Sequence, residues 1–338
     1  MKAAQFEKPH TLNVINKRLR ALNEGEVLVK VEACGVCGTD VHIVDGTSRS
    51  TPPVVLGHEY AGTVADVARG TKDATVGQYV GIDPNISCGT CFYCRRGFVH
   101  LCSSLRALGV DLDGGMAEYC IVPVKQTYAL PENITPELSA FIEPVSCAIH
   151  GIDLARIRTG DTVVIIGGGT IGLIMLQLSQ HAGAARVIIV EPLAHKRSIA
   201  QSLGANVVLD PSATDILSAV LDLTHVGADV ALECVGKPAT SELALALARR
   251  GGLVEFFGVC PIAEKIAIEP NAVYFKELTI VGSYVNPHTF GRSIAMLQSG
   301  RVRIDKFQLD KFPLDGVHEA LRYQREGKTI KSIIEPCA

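Results

Sequence analysis

The sequence lacks the features that would mark a nucleic-acid-binding, membrane-spanning or secreted protein. Its 32 basic and 35 acidic residues give a formal net charge of −3 at pH 7, whereas a nucleic-acid-binding protein usually carries a basic excess. Its most apolar stretch, residues 162–178, contains three consecutive glycines and falls short of the ~20 uninterrupted apolar residues of a membrane span. The N-terminal segment has neither an apolar core nor a small-residue cleavage site, so no signal peptide is predicted. We therefore expect a cytoplasmic protein with no nucleic-acid partner and no membrane partner.

The cysteines lack the arrangement expected of disulfides. There are 11 of them, an odd number, and several are clustered at spacings typical of metal sites. The tightest cluster lies in CGTCFYCRRGFVHLC and contains Cys88, Cys91, Cys94 and Cys102. Four thiolates complete the tetrahedral coordination of zinc and leave no open position, so this cluster predicts a structural zinc site. The alternatives are free thiols, disulfides, and a nucleic-acid-binding zinc ribbon, for which two neighbouring arginines are the only local support.

A second set of metal-ligating residue types is spread along the chain. Cys37 lies in CGVCGTDVH, His58 in GHE and Glu143 in FIEP. A thiolate, an imidazole and a carboxylate leave the fourth position of a zinc ion open, as in catalytic sites. Cys34 is an alternative thiol ligand, and a single His or Glu is more often structural. On the residues alone, this second site is an open hypothesis.

The length and the pattern of apolar runs predict two domains. Residues 1–146 are β-rich and irregular, whereas from Asp161 onward apolar strand runs alternate with amphipathic helices. Such alternation predicts an α/β domain with a doubly wound parallel sheet covered on both faces, here residues 147–287. The remaining segment, 288–338, contains two helical patterns and one strand. It is too short for a domain and is predicted to pack on the first, making that domain discontinuous.

A glycine-rich motif, GGGTIG, follows the first strand of the predicted parallel sheet and opens a helix. This context predicts a dinucleotide-binding turn. In such a turn Gly167 allows a sharp bend, Gly169 lets the backbone approach the pyrophosphate, and Gly172 permits close helix–strand packing. Ile171 lies within the same motif, and the diphosphate is expected at the helix N-terminus. The alternative is a glycine turn that serves packing only.

The end of the next predicted strand indicates which dinucleotide is used. Glu191 follows Gly172 by 19 residues, where an acidic side chain accepts hydrogen bonds from ribose hydroxyls and repels a 2′-phosphate. This favours NAD over NADP. Lys196 and Arg197 lie just downstream, and Lys196 is a further candidate cofactor contact that would tolerate a phosphate.

The motifs occur in the order CGVCGTDVH, GHEYAG, the four-cysteine lobe, FIEP and GGGTIG, over essentially the whole chain. In this order they resemble the zinc-dependent medium-chain dehydrogenase/reductase superfamily. The resemblance is closest to the polyol (sorbitol-type) dehydrogenase branch, because Glu143 stands where the alcohol dehydrogenase branch has a cysteine. It implies a discontinuous GroES-like catalytic domain, residues 1–146 and 288–338, and a Rossmann domain, residues 147–287.

The same resemblance implies roles for individual residues. Cys37, His58 and Glu143 match the catalytic zinc ligands, and Glu59 matches a carboxylate that ligates zinc directly or through a water. Thr39 and His42 match the hydroxyl and the imidazole of a proton relay. The implied reaction is hydride transfer between a secondary alcohol and NAD, giving the ketone, with two zinc ions per chain.

The resemblance leaves the substrate and some rival functions open. It favours a sugar alcohol, but the branch commonly has an arginine after its GSF-like strand, whereas this chain reads GSYVNPHTF, which disfavours sorbitol itself. L-Threonine 3-dehydrogenases and butanediol dehydrogenases share most of the motifs. A zinc-free quinone reductase relative would lack the ligands, and a non-enzymatic zinc- or redox-sensing protein would not need the dinucleotide motif. An exposed edge strand at GLVEFFG or ELTIVGS predicts a homo-oligomer, because pairing across a two-fold axis would cover it, and the resemblance implies a dimer or a tetramer.

Overall fold

The computed structural model describes residues 1–337, and the chain divides into two compact units. The first unit contains residues 1–146, 286–298 and the segment from Gln308 onward, and the second contains residues 147–285 and 299–307. Residues 299–307 therefore differ from the sequence-based division, which assigned them to the first domain. The reason is local, since Gln177 Nε2 donates to the Arg303 carbonyl at 3.2 Å and His181 Nε2 lies 2.8 Å from the Arg301 carbonyl.

The strands of both units are numbered in chain order. They are β1 (Lys2–Lys8), β2 (Thr11–Asn16), β3 (Glu26–Gly35), β4 (Val54–Val55), β5 (Glu59–Val67), β6 (Tyr79–Ile82), β7 (Asn85–Ile86), β8 (Arg106–Ala107), β9 (Tyr119–Pro123), β10 (Thr127–Ala129), β11 (Thr162–Ile166), β12 (Arg186–Val190), β13 (Val207–Leu209), β14 (Ala228–Glu233), β15 (Ala248–Phe256), β16 (Thr279–Gly282), β17 (Leu309–Pro313) and β18 (Lys331–Glu335).

The α-helices are numbered in the same way. They are α1 (Gly38–Val44), α2 (Pro136–Ser139), α3 (Ile142–Ala155), α4 (Thr170–Ala182), α5 (Ala194–Ser202), α6 (Ile216–Thr224), α7 (Pro238–Leu247), α8 (Pro270–Lys276), α9 (Phe290–Gln298) and α10 (Val317–Glu326).

The first unit is built on a sheet of seven strands, in the order β10-β6-β5-β3-β18-β17, with β9 also paired to β3. Alternate valines of β3, at positions 27, 29 and 31, are fully buried in its core. This alternation is what a strand with one face on the core requires. Near the end of β3, Gly35 pairs with Glu59 of β5 on one side and with Ile333 of β18 on the other. Two strands from the first fifth of the chain and one from its last eight residues therefore meet at Gly35.

The second unit contains a six-stranded sheet in the order β13-β12-β11-β14-β15-β16, with every neighbouring pair parallel. Numbered within the unit, this is the order 3-2-1-4-5-6 of doubly wound dinucleotide-binding sheets. Its strands are apolar along their length, as expected of a sheet covered on both faces. The predicted parallel sheet is thus confirmed.

Two local features differ from what the sequence pattern indicates. The run ATSELALALARR, residues 239–250, has a helical pattern that predicts a helix to Arg250, but α7 ends at Leu247 and the chain joins β15 at Ala248. Pairing of Ala248 with Ala228 and the ion pair of Arg249 with Asp229, at 2.6 Å, favour the strand there. The strand β17 was not predicted, because its sequence LDKFP has no clear apolar alternation.

One helical stretch, Pro136–Ala155, is long and apolar enough to cross a membrane by length and composition alone. However, 67% of its most apolar window is buried inside the protein. The core helix of a globular protein gives the same pattern, so this stretch is weak evidence for a membrane span.

Candidate active site

Three of the dispersed candidate ligands lie together in the first unit. Cys37 stands immediately before α1, His58 lies between β4 and β5, and Glu59 is the first residue of β5. One ligand atom from each of the three lies within 4.8 Å of the others. His58 and Glu59 are buried, whereas Cys37 is partly exposed. A thiol, an imidazole and a carboxylate thus converge at one end of the central sheet.

Asp40 is part of this centre and was not predicted from the sequence. It is fully buried, its Oδ2 accepts a hydrogen bond from the Cys37 amide at 2.9 Å, and its Oδ1 lies 3.5 Å from His58 Nδ1. Burial lowers the pKa of His58, but the charges of Asp40 and Cys37 outweigh burial and raise it well above its usual value. The same negative potential would attract a metal cation. A carboxylate behind a ligating histidine is also the usual means of fixing its ring.

Lys331 is the second residue that the sequence reasoning missed. It begins β18, is 2% exposed, and its Nζ forms an ion pair with Glu59 Oε2. Burial lowers the pKa of Lys331, but Glu59 and Cys37 raise it more, so the net shift is upward and the side chain is an ammonium. The ring of Phe141 lies 6.0 Å from that ammonium. The sequence feature that could have identified Lys331 is the occurrence of a lysine in an apolar strand pattern.

Glu143 is not a member of the group formed by Cys37, His58 and Glu59. It lies in the first turn of α3 and is 8% exposed. Its charge contributes to the raised pKa of Lys331, which places it near the Glu59–Lys331 pair. The structure thus brings Glu59 into the ligand group and leaves Glu143 beside that group, whereas the sequence had placed Glu143 among the three main ligands.

The donor set fits a zinc ion. Cys, His and Glu are ordinary zinc ligands, and three of them leave one position open. Asp40 Oδ1 and His58 Nδ1 are buried atoms that form no hydrogen bond, whereas Glu59 Oε2 pairs with Lys331. Buried polar atoms without hydrogen bonds are costly, which indicates that this cluster is built for a ligand that satisfies them.

Thr39 and His42, the predicted relay residues, both lie on α1. Thr39 Oγ1 is 3.6 Å from Cys37 Sγ and so lies next to the candidate metal centre. His42 is partly exposed, and its Nδ1 lies 3.0 Å from Thr47 Oγ1. This contact leaves Nε2 of His42 for another partner.

The four-cysteine lobe forms a second, separate group. The Sγ atoms of Cys88, Cys91, Cys94 and Cys102 all lie within 4.8 Å of one another. Cys91 and Cys94 are 3.5 Å apart, well beyond the ~2.05 Å of a disulfide bond. Backbone amides point at the sulfurs, with Cys88 N to Cys102 Sγ at 3.3 Å and Cys91 N to Cys88 Sγ at 3.4 Å. Four sulfurs stabilised by local amides match a closed zinc site.

The predicted dinucleotide turn joins β11 to α4. Gly167 has φ of 104°, in the left-handed region that favours glycine. A Cβ at Gly172 would lie 1.8 Å from the Gly167 carbonyl oxygen, so a side chain there would block the helix from packing against the turn. A Cβ at Gly169 would meet nothing within 4 Å, and Ile171 is partly exposed. The turn is thus tight on its inner side and open beside Gly169.

Glu191 faces this turn from the residue after β12. It is 5% exposed, its Oε2 accepts from the Gly168 amide at 2.7 Å and its Oε1 accepts from the Leu193 amide at 2.9 Å. Arg197 donates to the Glu191 carbonyl at 2.8 Å and pairs with Asp210 at 3.0 Å. Lys196, the neighbouring cation, is partly exposed on α5.

Comparison with known proteins gives a consistent result. Residues 23–132 match the family model of the alcohol dehydrogenase GroES-like domain, and residues 170–299 match that of the zinc-binding dehydrogenases. L-Threonine 3-dehydrogenase of Pyrococcus furiosus is 37% identical over 319 residues, covering 91% of this chain and 90% of that protein. D-Arabinitol dehydrogenase 1 of Uromyces fabae is 33% identical over 340 residues, covering 99% and 97%.

A solved structure extends this similarity to the fold. A protein from Sinorhizobium meliloti, described as a zinc-binding dehydrogenase and solved with bound NADP, is 40% identical to this chain. The alignment covers 99% of both chains with a TM-score of 0.95. The resemblance to the zinc-dependent medium-chain superfamily is confirmed, as are the GroES-like and Rossmann folds. The chain therefore belongs to the zinc-binding dehydrogenases of the medium-chain superfamily, oxidoreductases that act on CH–OH donors with zinc and a nicotinamide dinucleotide.

Proposed function

We propose that this protein is an NAD-dependent dehydrogenase of a small polar secondary alcohol, with its chemistry at Cys37, His58 and Glu59. The proposal depends on the convergence of these three side chains in one negatively charged cluster, in which His58 and Glu59 are buried. A zinc ion held there would act as a Lewis acid and lower the pKa of the substrate hydroxyl. The four-cysteine lobe would hold a second, structural zinc.

The chain's own residues would orient the metal site and move the proton. Asp40 would hold the ring of His58, since its carboxylate lies behind Nδ1. Thr39 Oγ1, beside Cys37, would accept the hydroxyl proton of the alcohol while donating its own proton onward in the direction of His42. His42, partly exposed and with Nε2 available, would pass that proton toward solvent. Proton transfer of this kind typically contributes about 10²–10⁴-fold to a rate.

The second unit would bind the dinucleotide. Its phosphates would lie at the turn of Gly167, Gly169 and Gly172, where the backbone amides at the start of α4 favour an anion. Ile171 would pack against the cofactor. Glu191 is held by two backbone amides and would accept the ribose hydroxyls with its remaining lone pairs. Its negative charge supports NAD over NADP, and Lys196 would be the residue that tolerates a 2′-phosphate.

Two substrate classes have support. A polyol is supported by Glu143 in place of a cysteine and by the 33% identity to D-arabinitol dehydrogenase 1. L-Threonine is supported by the 37% identity to the Pyrococcus furiosus threonine dehydrogenase. Both are secondary alcohols with polar groups on the neighbouring carbons. We put the polyol first and keep threonine as the alternative.

A substrate panel separates these possibilities. NADH formation would be measured with D-arabinitol, sorbitol, 2,3-butanediol and L-threonine, each with NAD and with NADP. The polyol proposal predicts the highest kcat/KM for a sugar alcohol. Highest activity with L-threonine would favour the alternative. No NADH formation with any secondary alcohol, in protein containing two zinc ions per chain, would contradict the proposed reaction.

We further propose that the chain forms a homo-oligomer through the β16 edge of its parallel sheet. This edge is unpaired in the single chain, and the neighbouring residues Tyr274 and Phe275 are 75% and 67% exposed. A second copy related by a two-fold axis would pair the strand with its own equivalent and cover both aromatic rings. The change Phe275→Glu should shift the mass measured by light scattering to that of a smaller species, whereas Phe92→Glu on the four-cysteine lobe should not. An unchanged mass for Phe275→Glu would rule out this edge.

The proposed compartment is a reducing cytoplasm. Within the described residues 1–337, none of the 11 cysteines is in a disulfide. Disulfide-free, cysteine-rich metal sites are typical of reducing compartments.

A further inference from the structure

The buried ion pair of Lys331 and Glu59 has a position that stability alone does not explain. Both residues are 2% exposed. Desolvation of two buried charges often costs as much as their attraction returns, so a pair of apolar residues would be as stable. The pair also includes a candidate metal ligand, Glu59. A role in the metal centre therefore explains the position of this ion pair better than a contribution to stability does.

The space for this ion pair lies beside Gly35, between two strands of the sheet. Glu59 enters from β5 and Lys331 from β18, the two strands on either side of Gly35 in β3. A Cβ at Gly35 would lie 2.4 Å from Glu59 Oε2 and 2.8 Å from Lys331 Cε. The missing side chain at Gly35 thus provides the space in which the ammonium and the carboxylate meet.

Lys331 is also the cation that faces the anionic side of the centre. Cys37, Glu59 and Glu143 all act electrostatically on its ammonium, whereas Asp40 faces His58, with its Oδ1 3.5 Å from His58 Nδ1. A metal bound by Cys37 and Glu59 alone would already have its charge balanced. The added positive charge therefore weakens the pull of the centre on a metal and, in particular, the pull of Glu59.

We propose that Lys331 is a positioning residue that keeps one carboxylate oxygen of Glu59 from coordinating the metal. The ammonium holds Oε2, so Glu59 offers the metal a single oxygen. The fourth coordination position then stays available to the alcohol. This inference rests on the proposed function, because it takes Cys37, His58 and Glu59 as the ligands.

Cobalt-substituted protein tests this directly, since the visible bands of Co²⁺ weaken when its coordination number rises above four. In Lys331→Met, which keeps an unbranched chain but removes the charge, Glu59 is expected to bind with both oxygens. The bands of the Cys37 centre should weaken, and the dissociation constant for Co²⁺, measured by chelator competition, should fall about tenfold or more, the scale on which residues behind the ligands act. Lys331→Arg, which restores the charge, should keep the wild-type spectrum.

A double-mutant cycle shows whether Lys331 acts through Glu59. In a Glu59→Gln background the further change Lys331→Met should leave the Co²⁺ affinity unchanged. If the gain in affinity persists there, Lys331 acts only as a distant charge, and the inference is overturned. Should Lys331→Met not fold, Lys331→Gln removes the charge while keeping a polar group, and a smaller shift of the same sign is expected.

The four-cysteine lobe provides an internal control, because its thiolate bands and its Co²⁺ affinity should be the same in every variant. Wild-type spectrum and affinity in the neutral variants would overturn the role of Lys331 and leave the proposed reaction standing. Conversely, an altered Co²⁺ centre in a protein that oxidises no alcohol would support the role of Lys331 and count against the proposed reaction. Absence of metal at Cys37 in the wild type would overturn both.

Discussion

The two cysteine-containing centres of this chain are built in opposite ways. The four-cysteine lobe lies within residues 88–102 and is held by amides of the same loop. The centre at Cys37 takes its residues from two separate segments, 37–40 and 58–59, and Lys331 joins them from the last strand. In the lobe, amides of the same loop donate hydrogen bonds to the sulfurs. The centre at Cys37 contains buried polar atoms without hydrogen bonds, Asp40 Oδ1 and His58 Nδ1. Buried polar atoms without hydrogen bonds cost folding free energy, which supports the proposal that the dispersed centre is the reactive one.

The largest expected effect separates the two centres by activity. Cys37→Ser should remove one of two zinc ions and lower kcat/KM by about 10³-fold or more, since Lewis-acid stabilisation is worth several kcal/mol. The fold should survive because Cys37 lies at the edge of the core. Mass spectrometry measures the zinc content, steady-state kinetics measure kcat/KM, and circular dichroism measures whether the fold survives. Two zinc ions and wild-type turnover in this variant would refute the assignment of Cys37.

The matched substitution in the four-cysteine lobe should lower stability rather than activity. Cys94→Ser should also remove one zinc ion, but the loss should appear as a lower melting temperature, because structural zinc contributes folding free energy. The folded fraction should keep the wild-type kcat, since the lobe contributes no side chain to the reaction. Equal loss of kcat in Cys94→Ser and Cys37→Ser would remove the functional distinction between the centres.

Buried carboxylates of the second unit extend the same comparison. Glu191 and Glu233 accept hydrogen bonds from backbone amides, as the sulfurs of the lobe do. Glu255 is fully buried, and within residues 1–337 neither of its side-chain oxygens has a hydrogen-bond partner. Burial raises the pKa of Glu255 from 4.5 to about 8. It is therefore a neutral acid near neutral pH.

This shift predicts a pH-dependent stability. A carboxyl group with a raised folded-state pKa binds its proton more tightly when folded, so stability is greatest below the unfolded pKa and falls as pH rises toward about 8. Glu255→Leu should remove this loss, and its free energy of unfolding relative to wild type should rise by about 3–4 kcal/mol between pH 5 and pH 8. Urea denaturation at both pH values measures the difference.

The control is the same substitution at an exposed position of the second unit. Glu264→Leu should change stability equally at pH 5 and pH 8, because Glu264 is exposed and folding does not remove its carboxylate from water. A Glu255→Leu effect that is also the same at both pH values would mean that Glu255 finds a polar partner when buried.

Sequence reasoning performed best where function and fold are local. The cysteine spacing of the lobe and the GGGTIG motif each fit within one loop, so their geometry follows from a few neighbouring residues. The alternation of strands and helices in the second unit likewise follows from apolar periodicity, and the parallel sheet was predicted in its correct order along the chain.

The dispersed centre could not be derived in the same way. Glu59 and Lys331 meet because β5 and β18 both flank Gly35, and strand pairing between distant segments leaves no mark in local spacing. Residue types offered Cys37, His58 and Glu143 only as an open hypothesis. The family resemblance supported these three, but it favoured Glu143 over Glu59 as a ligand and said nothing of Asp40. The sequence pattern does not show which strands of the first unit pair or in which register, and that pairing is what brings these residues together.

The smallest expected effect concerns the choice of cofactor at the local turn. Glu191→Ala should lower the ratio of kcat/KM with NAD to that with NADP by about 10- to 100-fold, since hydrogen bonds to a charged group are worth about 1.5–3 kcal/mol. Glu191→Gln keeps an acceptor but removes the repulsion of a 2′-phosphate, so it should gain NADP activity while losing less NAD activity. Kinetics with both cofactors measure the ratio. An unchanged ratio in both variants would mean that Glu191 only braces the Gly168 turn, and that cofactor choice lies with Lys196 and its neighbours on α5.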